Sequence, residues 1–144
     1  MLLLFPVGVL AVLVLAAVAV DSAIAFLGER ELAGAVAAAA NDAATDALSD
    51  GAFYGRGMVE LDDSEVARVA EERVRTSLSA GRYRDLAVQA FVIRPAGASC
   101  SWSLRVEASA TVSYVFATAV PGASGQVTVD AGATSTPRSG GGAC

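Results

Sequence analysis

The residues of this 144-residue chain with chemistry to offer are acids and two thiols. Asp62, Asp63 and Glu65 stand together, Asp21 follows directly on a long apolar run, and Cys100 and Cys144 are the cysteines. Histidine and lysine are absent, so the basic residues are all arginine. The commonest general base, the commonest metal ligand and the Schiff-base amine are therefore missing. Carboxylate-only catalysis would have to rest on Asp62, Asp63 and Glu65. Those three have a full explanation as the start of a helix, where acids meet the positive end of the macrodipole. Neither a P-loop nor a dinucleotide fingerprint is present, and the cysteine spacing fits no zinc pattern. The expectation is a protein that is not an enzyme, with no catalytic or metal-binding residue, no cofactor and no small-molecule substrate. The net charge is −5, with no basic cluster to track a phosphate backbone, so nucleic acid is not expected as a partner either.

The elements that must position these residues begin with an apolar stretch. Leu2 through Val20 reads LLLFPVGVLAVLVLAAVAV, without a charge or a hydroxyl. As an α-helix it would be about 28 Å long, close to the thickness of a bilayer's hydrocarbon core, which predicts a transmembrane helix. No Arg or Lys precedes the run, so either the terminal amine supplies the positive-inside signal or the true start lies upstream of Met1. A secretory signal peptide is the competing reading, because Ala17-Val18-Ala19 offers an A-x-A-like cleavage site. The missing basic n-region and the length of the run argue against it.

Past Asp21 the chain continues in strong helix formers to about Leu48, with Gly28 and Gly34 as its weak points. Ile24, Leu27, Leu32 and Val36 fall on or near one side, and Glu29, Arg30 and Glu31 lie across from part of that stripe. Ala33, Ala35, Ala37, Ala38, Ala39 and Ala40 form a surface on which another backbone could approach closely. Asp21 itself has two readings. It either pairs with an Arg or a terminal amine of a neighbouring subunit and sets register, or simply marks the end of the span, where a charge costs least; the second is favoured.

Ser49-Asp50-Gly51 ends the rod, and Met58 to Leu61 reads as a short edge strand. Asp62 with Glu65 forms a capping box. A helix then places Val66, Val69, Ala70, Val74 and Leu78 on its inner face and is stopped by Gly81. Leu86 to Ile93 alternates with both faces apolar, which predicts a central strand. Pro95 to Ala98 is a turn. From Trp102 to Phe116 every second residue is apolar and the alternates up to Ser113 are polar, the cleanest strand of the chain. A last strand runs from Gln126 to Ala131 with Val127 and Val129 inward, and the Gly-rich end has no core formers. Cys100 and Cys144 favour a disulfide tying this tail to the sheet, worth roughly 3–4 kcal/mol. Two unpaired thiols, or Cys144 bridging to another chain, are the alternatives.

The element order is that of an α+β protein. A long N-terminal helix, transmembrane then amphipathic, occupies residues 1–50. A small head, residues 51–144, packs one helix on an antiparallel sheet of three or four strands and ends in the Gly-rich tail.

The segment LLLFPVGVLAVLVLAAVAVDSA, with its acid directly after the apolar run, and the alanine-rich LAGAVAAAANDAATDAL resemble the TadE/TadG-like family of the tight-adherence (Flp) pilus system. The later elements are compatible with it: a glycine before a short strand at Gly57-Met58-Val59, a helix, then alternating strands ending in Val-x-Val. The resemblance implies a minor pilin or pseudopilin with a pilin-like head. Its anchor would sit in the cytoplasmic membrane and its head outside the cytoplasm, serving a surface pilus used in adhesion. Its partners would be other pilin-like subunits, the pilus assembly machinery and the membrane. Leu4, Leu10, Leu13, Ala17, Asp21, Ile24, Leu27, Ala35 and Ala39 are the candidates for membrane and subunit packing. The sequence departs from classical type IV prepilins, which carry a Gly cleavage site with Glu five residues on. Gly8 is followed by Val9-Leu10-Ala11-Val12-Leu13, and Gly28 by Ala33 at the fifth place, which puts peptidase processing in doubt. The alternative function is a secreted or membrane-anchored envelope binding module unrelated to pili, with a mature chain beginning at Val20.

Overall fold

The computed structural model describes residues 4–46, 63–79, 81–94 and 102–136. The expected turn at Ser49–Gly51, the Met58–Leu61 strand, the Asp62 cap, the Pro95–Ala98 turn, the Gly-rich tail and both cysteines lie outside the described residues.

Helix α1 runs unbroken from Leu4 to Asp46, about 65 Å at 1.5 Å per residue. Its character changes at Asp21. From Phe5 to Val20 the side chains are exposed on every face, apart from a half-buried Ala17. From Asp21 onward burial recurs every three or four residues, at Asp21, Gly28, Leu32, Ala35, Val36, Ala39, Ala40, Ala43 and Ala44, the period of one helix face. The apolar run is thus a free rod, and the alanine-rich run is one wall of the head.

Helix α2, Asp63–Ser77, has the amphipathic pattern its sequence predicts, with Val66, Val69, Ala70 and Val74 buried. Its exposed face is laced by the pairs Glu65–Arg68, Arg68–Glu72 and Glu71–Arg75, which lie open to water and add little to stability. Gly81, at φ +84°, lets the chain turn from the helix into the sheet.

Among the described residues the sheet has three antiparallel strands, β1 (Tyr83–Ile93), β2 (Ser103–Ser113) and β3 (Gln126–Ser135), in spatial order β1-β2-β3. The central strand is β2, whose Leu104, Val106, Ala108, Ala110 and Val112 are all buried. Among the described residues β1, expected to be a central strand, is paired on one side only, by β2. Its second apolar face, with Phe91 and Ile93, is exposed on the sheet's outer surface, and a bulge between Arg84 and Ala87 is a common device at a sheet edge. Strand β3 extends past the expected Ala131 to Ser135. There the inward residues are Ala131 and Ala133, too small to make the alternation conspicuous.

α1 and α2 lie side by side on the inner face of the sheet, α1 against β2 and β3 and α2 against β1. The core is Leu32, Val36 and the alanines of α1, the valines of α2, and the inner residues of β2 with Val129. Because those alanines are small, the helix comes close to the sheet. A Cβ placed on Gly28 would sit 3.1 Å from Cγ2 of Val112, so glycine permits a close approach of rod to β2 here.

Candidate membrane-anchoring and packing site

The candidate site is α1 itself, divided by the way the head grips it. Among the described residues α1 is the one helix long and apolar enough to cross a membrane. The segment free to do so is the apolar run up to Val20. Leu10 and Leu13 are 62% and 61% exposed, as a lipid- or helix-facing surface requires. Leu4 belongs to the helix, but its side chain lies outside the described residues.

Asp21, the first residue beyond the run, is where the grip begins. It is 8% exposed, and its carboxylate accepts three backbone N–H groups from the loop after β2. Val115 and Phe116 donate to Oδ1 at 2.9 and 3.1 Å, and Ala117 donates to Oδ2 at 2.7 Å. Burial pushes the pKa of Asp21 up, but the N–H groups of Phe116, Ala117 and Val115 together outweigh burial and hold it below the ordinary carboxylate value. Neither sequence-based reading describes this role: the partner of Asp21 is the chain's own head.

A second clamp lies ten residues further on, about 15 Å along the helix. Glu31 Oε1 accepts the N–H and the hydroxyl of Ser79 at 3.1 and 2.7 Å. Its Oε2 accepts from Arg82 at 2.9 Å and faces the Tyr83 hydroxyl at 3.0 Å. That hydroxyl also lies 3.0 Å from the carbonyl oxygen of Gly28, so its one proton is shared between two acceptors. The Ser79 hydroxyl holds the pKa of Glu31 below its ordinary value. Partial burial opposes this, and the Ser79 N–H, Tyr83 and the Arg82 charge reinforce it. Burial, then the hydrogen bond and charge of Glu31, push the Tyr83 phenol up to about 12. The sequence reading set Glu31 across from the packed stripe. A helical count from Asp21 through Ile24 and Gly28 to Glu31 puts it on the head-facing side, and that count was the available signal. The far end of the grip is Arg73 with Asp42 and Asp46, and Ser135 with Asn41 at 3.0 Å.

The remaining packing candidates divide by face. Ile24 is half-buried against the core and Leu27 is 54% exposed. Ala35 and Ala39, expected to meet neighbouring subunits, are 5% and 0% exposed in the chain's own core, which corrects that assignment. They lie on the same stripe as Leu32 and Val36, and the sheet and α2 use that stripe. Of the alanine surface named from the sequence, Ala33, Ala37 and Ala38 remain exposed, with Gly34 beside them.

Of the acids considered for catalysis, Asp62 lies outside the described residues and the other two are engaged in ion pairs. Asp63 holds Arg94 through both oxygens, at 2.7 and 3.2 Å, and Glu65 holds Arg68. Among the described residues no three His, Cys, Asp or Glu side chains are grouped to hold a metal ion. The outer sheet face carries an open depression lined in part by Gln89, Arg105, Glu107 and Asp130.

No family model, curated protein or solved structure matches the chain. Fold and geometry define an α+β protein with a long apolar N-terminal helix suited to anchoring in a membrane.

Proposed function

We propose that the chain is a structural component of surface pilus assembly, a TadE/TadG-like minor pilin or pseudopilin. Its rod packs with other rods in the cytoplasmic membrane or the filament, and its head faces outside the cytoplasm. The observation that carries this reading is the division of α1. One continuous helix presents an apolar segment with exposed faces all round, while its alanine-rich half is held rigidly by a small head. A rod fixed to a head in this way can transmit helix packing in the membrane to the placement of heads outside it. Neighbouring rods would meet Leu10, Leu13 and Ala17 in the membrane, and Leu27, Ala33, Ala37 and Ala38 beyond it, where small side chains allow close approach. The test is a count of surface pili by electron microscopy in a deletion strain and its complemented control. Loss restored by complementation supports the reading, and unchanged pili in a piliated strain refute it.

One observation favours the second reading, an envelope binding module unrelated to pili. Every described hydrogen bond between rod and head is made at Asp21 or later. A chain cleaved to begin at Val20 would keep them all.

A further inference from the structure

The loop between β2 and β3 has a composition that the clamp at Asp21 does not explain. From Ala108 to Val129 the sequence has no charged residue. The middle of that span, Tyr114 to Gly125, projects from the rod-side end of the sheet, and its largest apolar side chains face outward: Val115 is 58%, Phe116 46% and Val120 56% exposed. Exposed apolar clusters of this kind mark a contact with protein or membrane.

We propose that this loop rests on the bilayer, with Val115, Phe116 and Val120 immersed at the boundary between headgroups and hydrocarbon. The proposal relies on the membrane-anchored part of the reading above and is independent of pili. Position is the first argument. If the run up to Val20 fills the hydrocarbon core, Asp21 stands at its edge. Because Val115, Phe116 and Ala117 are bonded directly to that carboxylate, the start of the loop is held close to the depth of Asp21.

Backbone satisfaction is the second, independent argument. A segment entering a water-poor layer must pair its own N–H groups, and most of those in this loop, including the N–H groups of Val115, Phe116 and Val120, are paired. Beyond the three held by Asp21, Tyr114 donates to the Gly125 carbonyl, Ala119 to Phe116, Val120 to Ala117 and Ala123 to Val120. Tyr114 adds the aromatic type that favours the interfacial layer. A lipid surface fits better than a protein partner because the apolar patch continues directly into the membrane segment.

The experiment uses the full chain reconstituted in phosphatidylcholine vesicles brominated at shallow or deep acyl positions. Trp102, the single tryptophan, precedes β2 at the sheet's far end, just beyond Leu104, whose partner Ser135 bonds Asn41, about 30 Å along the rod from Asp21. Its emission serves as the control in the native chain. In a Trp102→Phe background, tryptophan is placed by Phe116→Trp, by Val120→Trp, or by Leu13→Trp in the rod. The proposal expects strong quenching of the Phe116→Trp and Val120→Trp probes by shallow bromines, of the Leu13→Trp probe by deep ones, and none of Trp102. Quenching of the rod probe with both loop probes unquenched would overturn the loop proposal and leave anchoring intact. An unquenched rod probe would overturn the anchoring reading, and the loop proposal with it.

Discussion

Asp21 and Glu31 hold the head through charge-assisted hydrogen bonds, and both carboxylates bind protons less readily folded than unfolded. A group with a depressed folded pKa contributes stability that is fully present above its unfolded value, near 4, and lost as pH falls through the folded one. Thermal unfolding of the full chain in detergent micelles is expected to occur at lower temperature as the medium is acidified below about pH 4. The Asp21→Asn, Glu31→Gln double variant should be less stable at neutral pH and lose less on acidification. An unchanged acid dependence in the double variant would remove these two groups from the explanation. Asp21→Ala leaves three N–H groups without their acceptor, and hydrogen exchange at Val115 to Ala117 should then accelerate. Tyr83 gives an alkaline counterpart. One of the three tyrosines should ionise near pH 12, and that late step should be absent in Tyr83→Phe. Between the unfolded value, about 10, and the folded value the neutral phenol is favoured only in the folded chain, so stability should decline over that window.

At the scale of the element, the two faces of α1 should answer differently to added bulk. Ala39→Leu forces extra methyl groups into a filled core and should destabilise the head by about 1–3 kcal/mol. Ala37→Leu, on the exposed face, should change stability by less than about 0.5 kcal/mol while reducing pilus number in the complemented strain. Leu32→Ala should cost about 2–5 kcal/mol. Gly28→Ala is best read as a pair, because the new methyl meets Val112; it should be better tolerated in a Val112→Ala background, as denaturant unfolding of the four chains would reveal. The outline of these elements was legible in the sequence because α2 and β2 have clean periods and the apolar run is unbroken. The faces of the alanine run were not. Six alanines in eight positions give no contrast between inside and outside, so Ala35 and Ala39 could not be told from Ala37 and Ala38. In β1 the apolar alternates Phe91 and Ile93 suggested a strand covered on both faces, whereas both are 46% exposed. The clamp partners were hidden for another reason. Asp21 is held by backbone N–H groups of a loop nearly a hundred residues away and Glu31 by Ser79, Arg82 and Tyr83 about fifty residues on, and no local pattern encodes such pairings.

The whole molecule is a rod with a head fixed to its second half, and the division falls where the apolar run ends. An exposed apolar helix cannot remain in water, so the free half needs a bilayer, other rods or both, while the clamps transmit its orientation to the sheet. The account therefore depends first on the rod remaining attached to the head and in the membrane. The most direct measurement is the intact mass of the native protein recovered from carbonate-washed membranes and from the soluble fraction. The account predicts a membrane-bound species whose mass includes the apolar residues up to Val20. A soluble species beginning at Val20, with none in the membrane, would contradict it and favour the secreted binding module.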